Sequence, residues 1–140
     1  MSARHRVAVV LVAVPVGLCL AAPAAADPTA APPPYIDHVS WVDWGDLKSL
    51  RVYPTPAGRS VAGQLLKPQN DIDEAWGEVL ALAPEADLPG MRDQFVCHFR
   101  FAELGQPGKT SWNLEPWRPV VDDQTMTATG CNPGGLEEPF

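Results

Sequence analysis

The chain has 140 residues, with ten Lys and Arg against 17 Asp and Glu and a net charge of −7. That length bounds it to one domain with one core. The acidity argues against nucleic-acid binding, which needs basic patches to displace counterions, and against docking on anionic membranes.

Residues 1–26 read as an export signal. Arg4, His5 and Arg6 form a basic start, Val7 to Leu20 is an apolar run, and Ala24-Ala25-Ala26 before Asp27 fits a small-residue cleavage site. The run has 14 residues, short of the roughly 20 needed to span a bilayer. Leu18 stands where a lipoprotein signal wants a small residue, so Cys19 is assigned to the discarded peptide. Cleavage after Ala26 removes two arginines, which leaves eight basic against 17 acidic residues and a charge of −9 on 114 residues. No second apolar span follows, so the mature chain is expected to be soluble and secreted, off the membrane.

Residues 27–34 (DPTAAPPP) read as a disordered Pro/Ala linker. Tyr35 to Asp43 is rich in aromatic and β-branched residues and has strand length. Its alternation is unclean, with Ile36 and Val42 on one face and Val39 and Trp41 on the other, as in a strand covered on both sides. Trp44-Gly45-Asp46 reads as a turn and Leu47 to Tyr53 as the returning strand, ended by Pro54 and Pro56. Residues 57–69 read as a mixed connection.

Asn70 to Ala83 carries the period of an amphipathic helix at Ile72, Ala75, Trp76, Val79, Leu82 and Ala83. Asp71 and Glu74 have the spacing of a capping box, and Gly77 suggests close packing on the sheet. Asp93 to Glu103 alternates Phe95, Cys97, Phe99 and Phe101 with Gln94, Val96, His98 and Arg100, which predicts a half-buried strand. A Gly/Pro turn at residues 105–108 then leads into a strand over Lys109 to Glu115. Val120 to Thr129 reads as a weak last strand that delivers Cys131, and residues 134–140 as a flexible tail. The expected fold class is α+β: a small antiparallel sheet in ββαβββ order, one helix on a face, within a single domain over residues 35–133.

Two cysteines remain after processing, Cys97 and Cys131. In an exported domain an even count suggests a disulfide, two free thiols being the alternative.

No serine-hydrolase elbow, Gly-rich phosphate loop or zinc-ligand spacing appears, so no cofactor and no metal is assigned. The residues of Asn70 to Glu74 lack the glycine and distal glutamate of a calcium loop. The catalytic candidates are His98, Glu115, His38 and Asp37, as a histidine with a carboxylate is the minimum for general-base work. On a regular strand His98 faces the less buried side beside Arg100. The binding candidates are Arg100, Asn113, Glu115, Trp117, Arg118 and Trp44, the two tryptophans because they sit in turn-like segments. A local Glu115–Arg118 pair is the plain structural reading of those two.

DQFVCHFRF (Asp93–Phe101), WNLEPWRP (Trp112–Pro119) and CNPG (Cys131–Gly134) form a distinctive set. With YIDHVSWVDWGDLKSLRVYPTPAGR (Tyr35–Arg59), they resemble the exported actinobacterial family catalogued as domain of unknown function 2599. The resemblance covers residues 35–134 and implies export and a Cys97–Cys131 pair. It implies no reaction and no ligand. The function expected is a secreted, disulfide-stapled binding or interaction module of the cell envelope or exterior. Its partner would be a protein or a cell-wall glycan. The alternatives are a small secreted hydrolase using a His/carboxylate pair, and an inhibitor or immunity-like protein with a basic target.

Overall fold

The computed structural model describes residues 31–135. The predicted signal over residues 1–26, the start of the linker and residues 136–140 lie outside the described residues. The fold is α+β, with a three-stranded antiparallel sheet in the order β1-β2-β3 and helices packed on its apolar face. Among the described residues no helix is long and apolar enough to cross a membrane.

The hairpin forms where the sequence places it, with β1 over Ile36–Trp44 and β2 over Leu47–Pro54. The link is the two-residue turn Gly45-Asp46, and Gly45 takes a left-handed φ of 58° that favours glycine there. The unclean alternation of β1 has a different cause from the one expected. A register shift between Ile36 and His38 turns Ile36 into the core on the same side as Val39 and Trp41, which oppose Val52 and Leu50. β3 (Trp112–Leu114) completes the face, Leu114 pairing with Leu50 and Trp112 with Val52.

Residues 57–69 are not all connection. α1 (Pro56–Ala62) starts with Thr55, whose hydroxyl accepts from Gly58 N at 3.0 Å, and with Pro56 in its first turn. Gly58 is obligatory by space, since a Cβ there would lie 2.1 Å from the Tyr35 carbonyl oxygen. α2 (Gln69–Leu82) matches the predicted helix, but the capping box does not form. Pro68 stands at the cap, and Asp71 instead accepts from the Tyr35 hydroxyl at 3.1 Å. Burial first, then that carboxylate, push the Tyr35 phenol up to about 12. Glu78 accepts from both Tyr35 N and Ile36 N at 2.7 Å, which pins the start of β1 to α2. Gly77 packs against nothing, for a Cβ there would meet no atom within 4 Å.

The main departure lies at residues 93–103. They belong to α3 (Met91–Gly105), so the ββαβββ order is replaced by two strands, three helices, one strand and a last helix. Met91, Phe95, Phe99 and Ala102 fall on the helix's core side. Phe95 and Phe99 meet Trp112 with ring centroids at 6.1 and 5.7 Å, and Trp76 closes on Phe95 at 5.4 Å. Phe101, expected inside, is 44% exposed, because on a helix it turns away from Phe95 and Phe99. The expected strand over Val120 to Thr129 is instead α4 (Asp123–Ala128), capped by Asp122, whose carboxylate accepts from Thr125 N at 2.7 Å. Cys97 leaves α3 toward α4 and is bonded to Cys131, with Cα atoms 5.6 Å apart. The bond sits with Met126 and Val121 in a second small apolar cluster.

Candidate functional site

Glu115 follows β3 directly, and its side chain and that of Arg118 are wholly buried. Arg118 Nε donates to Glu115 Oε2 at 2.6 Å, and Ser49 Oγ on β2 donates to Oε1 at 3.2 Å. Gln94 on α3 clamps the Glu115 backbone, donating to its carbonyl at 3.0 Å and accepting from its N–H at 2.9 Å. Arg118 also donates to the carbonyls of Pro133 and Gly135 at 3.2 and 2.9 Å. The pair therefore ties β2, β3, α3 and residues 133–135 into one polar knot, the first two residues of the expected tail included. Ions held this way are structural, because a reacting or ligand-binding carboxylate needs a free lone pair or an approach path.

His98 is not on an open polar face. It projects from α3 into the interior and is 3% exposed. Burial lowers its imidazole to about 3, the charges of Lys109 and Arg118 push the same way, and a hydrogen bond to the Asn113 backbone partly opposes them. A neutral imidazole that donates from one nitrogen to a carbonyl keeps a lone pair on the other. That other nitrogen, Nε2, has no partner among the described residues. Among the described residues no carboxylate is bonded to the ring: Glu115 is engaged by Arg118 and Ser49, while Asp37 and His38 pair with each other on β1 at 2.6 Å. His38 there stacks on Tyr53 at 4.1 Å.

The remaining candidates separate in the same way. Asn113 is buried on β3 and accepts from Ser111 Oγ at 2.7 Å. Trp117 donates from its indole to the Lys48 carbonyl at 3.1 Å and lies under the Arg118 guanidinium at 4.6 Å. Trp44 is exposed at the hairpin end. Arg100 is half-buried on α3, its guanidinium donating to Gln69 Oε1 at 3.4 Å.

Two surface features meet at Phe101. On one side a cleft of about 230 Å³ runs between α3 and the loop after α1, lined by Leu65, Leu66, Lys67, Arg100, Phe101 and Leu104. Leu65 and Leu66 are 87% and 88% exposed, and Leu104 is 44% exposed. Lys67 donates to the Gln64 carbonyl and Arg100 to Gln69, so among the described residues neither cation meets a carboxylate. Burial and the neighbouring Arg100 lower the Lys67 ammonium. On the other side lies a cavity of about 480 Å³ between the end of α3 and the turn that carries Cys131, with His98, Lys109, Thr127 and Asn132 in its wall. The described residues hold no group of three or more side chains fit to bind a metal ion. Neither the leucine pair nor Asn132 stands out in the sequence: the leucines fall in a connection without period, and Asn132 reads as part of a turn.

A model of the family described as protein of unknown function (DUF2599) matches residues 36–134, and the chain belongs to that family. An uncharacterized protein of Mycobacterium tuberculosis is 59% identical over 108 residues, covering 77% of this chain and 72% of the relative. An uncharacterized protein of Mycobacterium leprae is 51% identical over 104 residues, covering 72% of this chain and 80% of the relative. No solved structure matches the chain.

Proposed function

We propose that the protein is an exported, disulfide-stapled binding module that docks a protein partner of the cell exterior on the α3 edge. The observation that carries this is the Leu65-Leu66 pair, set in water beside Phe101 and Leu104. Contiguous exposed apolar side chains are costly in water and mark interaction surfaces when polar groups rim them. Lys67 and Arg100 rim this one, on a chain whose net charge is strongly negative. The combination suits a partner with an apolar face and acidic flanks, and gives no support to an inhibitor of a basic target. The hydrolase alternative is disfavoured, since among the described residues no carboxylate orients His98 and burial holds its imidazole far below neutral pH.

Export and docking are tested together with the full chain expressed in a mycobacterial host. The processed protein should appear outside the cytoplasm and sediment with the envelope fraction. A Leu65→Ser/Leu66→Ser double variant should bind the envelope fraction at least about a hundredfold more weakly, since each buried leucine contributes about 1.5–3 kcal/mol to association and about 1.4 kcal/mol is tenfold. Its melting temperature should not change, because both side chains are solvent-exposed. Equal sedimentation of the two proteins rules out this surface, and a chain retained unprocessed in the cytoplasm rules out export.

A further inference from the structure

We propose that the free edge of β1 is a docking strand for an extended segment of a partner protein that carries basic side chains at alternate positions. This surface is separate from the leucine pair beside α3, and acids rim it where cations rim the other. β1 is an end strand, since the sheet order β1-β2-β3 leaves it no neighbour on its outer side among the described residues. The hairpin fixes which of its backbone groups face out. Trp44 and Leu47 flank the two-residue turn, and the residues flanking such a turn are joined by a hydrogen bond. Bonded and non-bonded pairs then alternate down the ladder, so Val42, Ser40 and His38 bond to β2. Val39, Trp41 and Asp43 lie between them and turn their N–H and carbonyl groups outward.

An open edge is normally blunted by proline, by lysine or by a covering segment. From Val39 to Trp44, β1 carries neither residue, and no described segment pairs with it from outside. Its irregularity lies earlier, at the register shift between Ile36 and His38, and Glu78 already takes the N–H groups of Tyr35 and Ile36. The regular stretch beyond offers donors and acceptors at every second residue, which is the pattern an added strand uses.

The side chains beside the edge select the occupant. An added strand places alternate side chains on the two faces of the sheet. On the helix face they come beside Val39 and Trp41, which pack there against the main core, and beside Asp43, which alternation puts on the same face. Glu85 accepts from the Trp41 indole at 2.7 Å, and both Glu85 and Asp43 are exposed. Lys48 pairs with Asp43 at 3.0 Å, but both partners lie in water, where such a pair is worth little. A lysine or arginine of the added strand therefore finds carboxylates and an indole ring on this face. On the other face the strand comes beside Ser40 and Val42, which carry no charge, so cations are favoured at every second position only. A second copy of this chain is disfavoured as the occupant, because it would bring the same acids to the shared edge on a chain of net charge −7.

The test is a titration of the full chain, oxidised and labelled with nitrogen-15, with two end-blocked hexapeptides. One alternates lysine with valine and the other glutamate with valine. The lysine peptide should shift the backbone amides of Val39, Trp41 and Asp43 in a saturable way. It should also slow their hydrogen exchange, because new bonds protect amides that face water in the free protein. The glutamate peptide should bind about tenfold more weakly or worse. Asp43→Asn/Glu85→Gln should weaken the lysine peptide by about three- to thirtyfold with little change in melting temperature, since both side chains are exposed and glutamine keeps an acceptor for Trp41. A lysine peptide that leaves the three amides unshifted and unprotected overturns the proposal. So does equal binding of the glutamate peptide, or binding that the double variant leaves unchanged. Slow exchange at the three amides in the free chain overturns it too, and its dependence on protein concentration tells whether a second copy or the chain's own amino end fills the edge.

Discussion

His98 shows how one buried side chain sets a property of the whole fold. It lies neutral inside α3, close to Lys109 and Arg118 and bonded to the Asn113 backbone, with its imidazole lowered to about 3. In the unfolded chain the same ring titrates near 6.5. Between those values the unfolded state holds a proton that the folded state does not, so stability is full above pH 6.5 and falls as the pH drops toward 3. The slope is up to about 1.4 kcal/mol per pH unit. Urea unfolding of the wild type and of a His98→Met variant, at a series of pH values across that window, reads the effect. Carboxylates titrate in both proteins, so the difference between the two curves isolates the histidine. The wild type should lose stability more steeply with acid, and parallel curves would mean that the ring is solvated or charged in the fold. The sequence does not disclose this burial. On a strand His98 opposes Phe99, on a helix it sits beside Phe95 and Phe99, and the choice of period decides its environment.

At the scale of elements, the polar knot at Glu115 is the joint where strands, α3 and residues 133–135 meet. Removing one charge leaves the other buried without this counter-charge, which costs about 3–5 kcal/mol, whereas replacing both by apolar groups costs far less. Glu115→Gln should therefore lower the unfolding midpoint sharply, and Glu115→Met/Arg118→Met should recover much of the loss. A single variant as stable as wild type, or a double variant worse than the single, contradicts this account. This pair is legible in the sequence as a local contact three residues apart. Its role as a joint is not, because Ser49, Gln94 and Pro133 reach it from distant parts of the chain. The hairpin is legible from its β-branched runs and Gly45, and α2 from its apolar period. α3 is misread because Phe95 and Phe99 satisfy a period of two and a period of four equally. The arbiter is tertiary: Trp112 takes both rings on one side, and Met91 and Ala102 extend the helical stripe beyond the alternating segment. α1 and α4 are missed for a smaller reason, as each is one or two turns long and is announced only by its cap, Thr55-Pro56 and Asp122. The leucine surface and the cavity escape the sequence for the same reason as the knot, since each is assembled from segments that only the fold brings together.

For the whole molecule the decisive link is the bond between Cys97 and Cys131. The main core is built without them, from the sheet, α1, α2 and the aromatic side of α3. The chain after β3 has little apolar area of its own, and α4 contributes only Met126 as a buried side chain. Six residues of helix are too few to be stable alone. What holds that segment is the Arg118 contacts to Pro133 and Gly135 and the disulfide, which closes a loop over a separation of 34 residues. In the chain-entropy picture such a closure contributes ~3–4 kcal/mol by restricting the unfolded chain. That is a large share of the roughly 5–15 kcal/mol typical of a domain. Reduction, or Cys97→Ser/Cys131→Ser, should therefore lower overall stability by about that amount and act unevenly on the structure. Hydrogen exchange should rise first in α4 and the Cys131 turn, while the β1–β2 hairpin and α2 stay protected as long as the main core persists. Intact mass before and after reduction establishes the bond, and protection then maps its reach. Uniform loss of protection would instead make the second cluster an integral part of the core. Unchanged stability on reduction would mean that Met126, Val121 and the Arg118 contacts suffice to hold the closing segment in place.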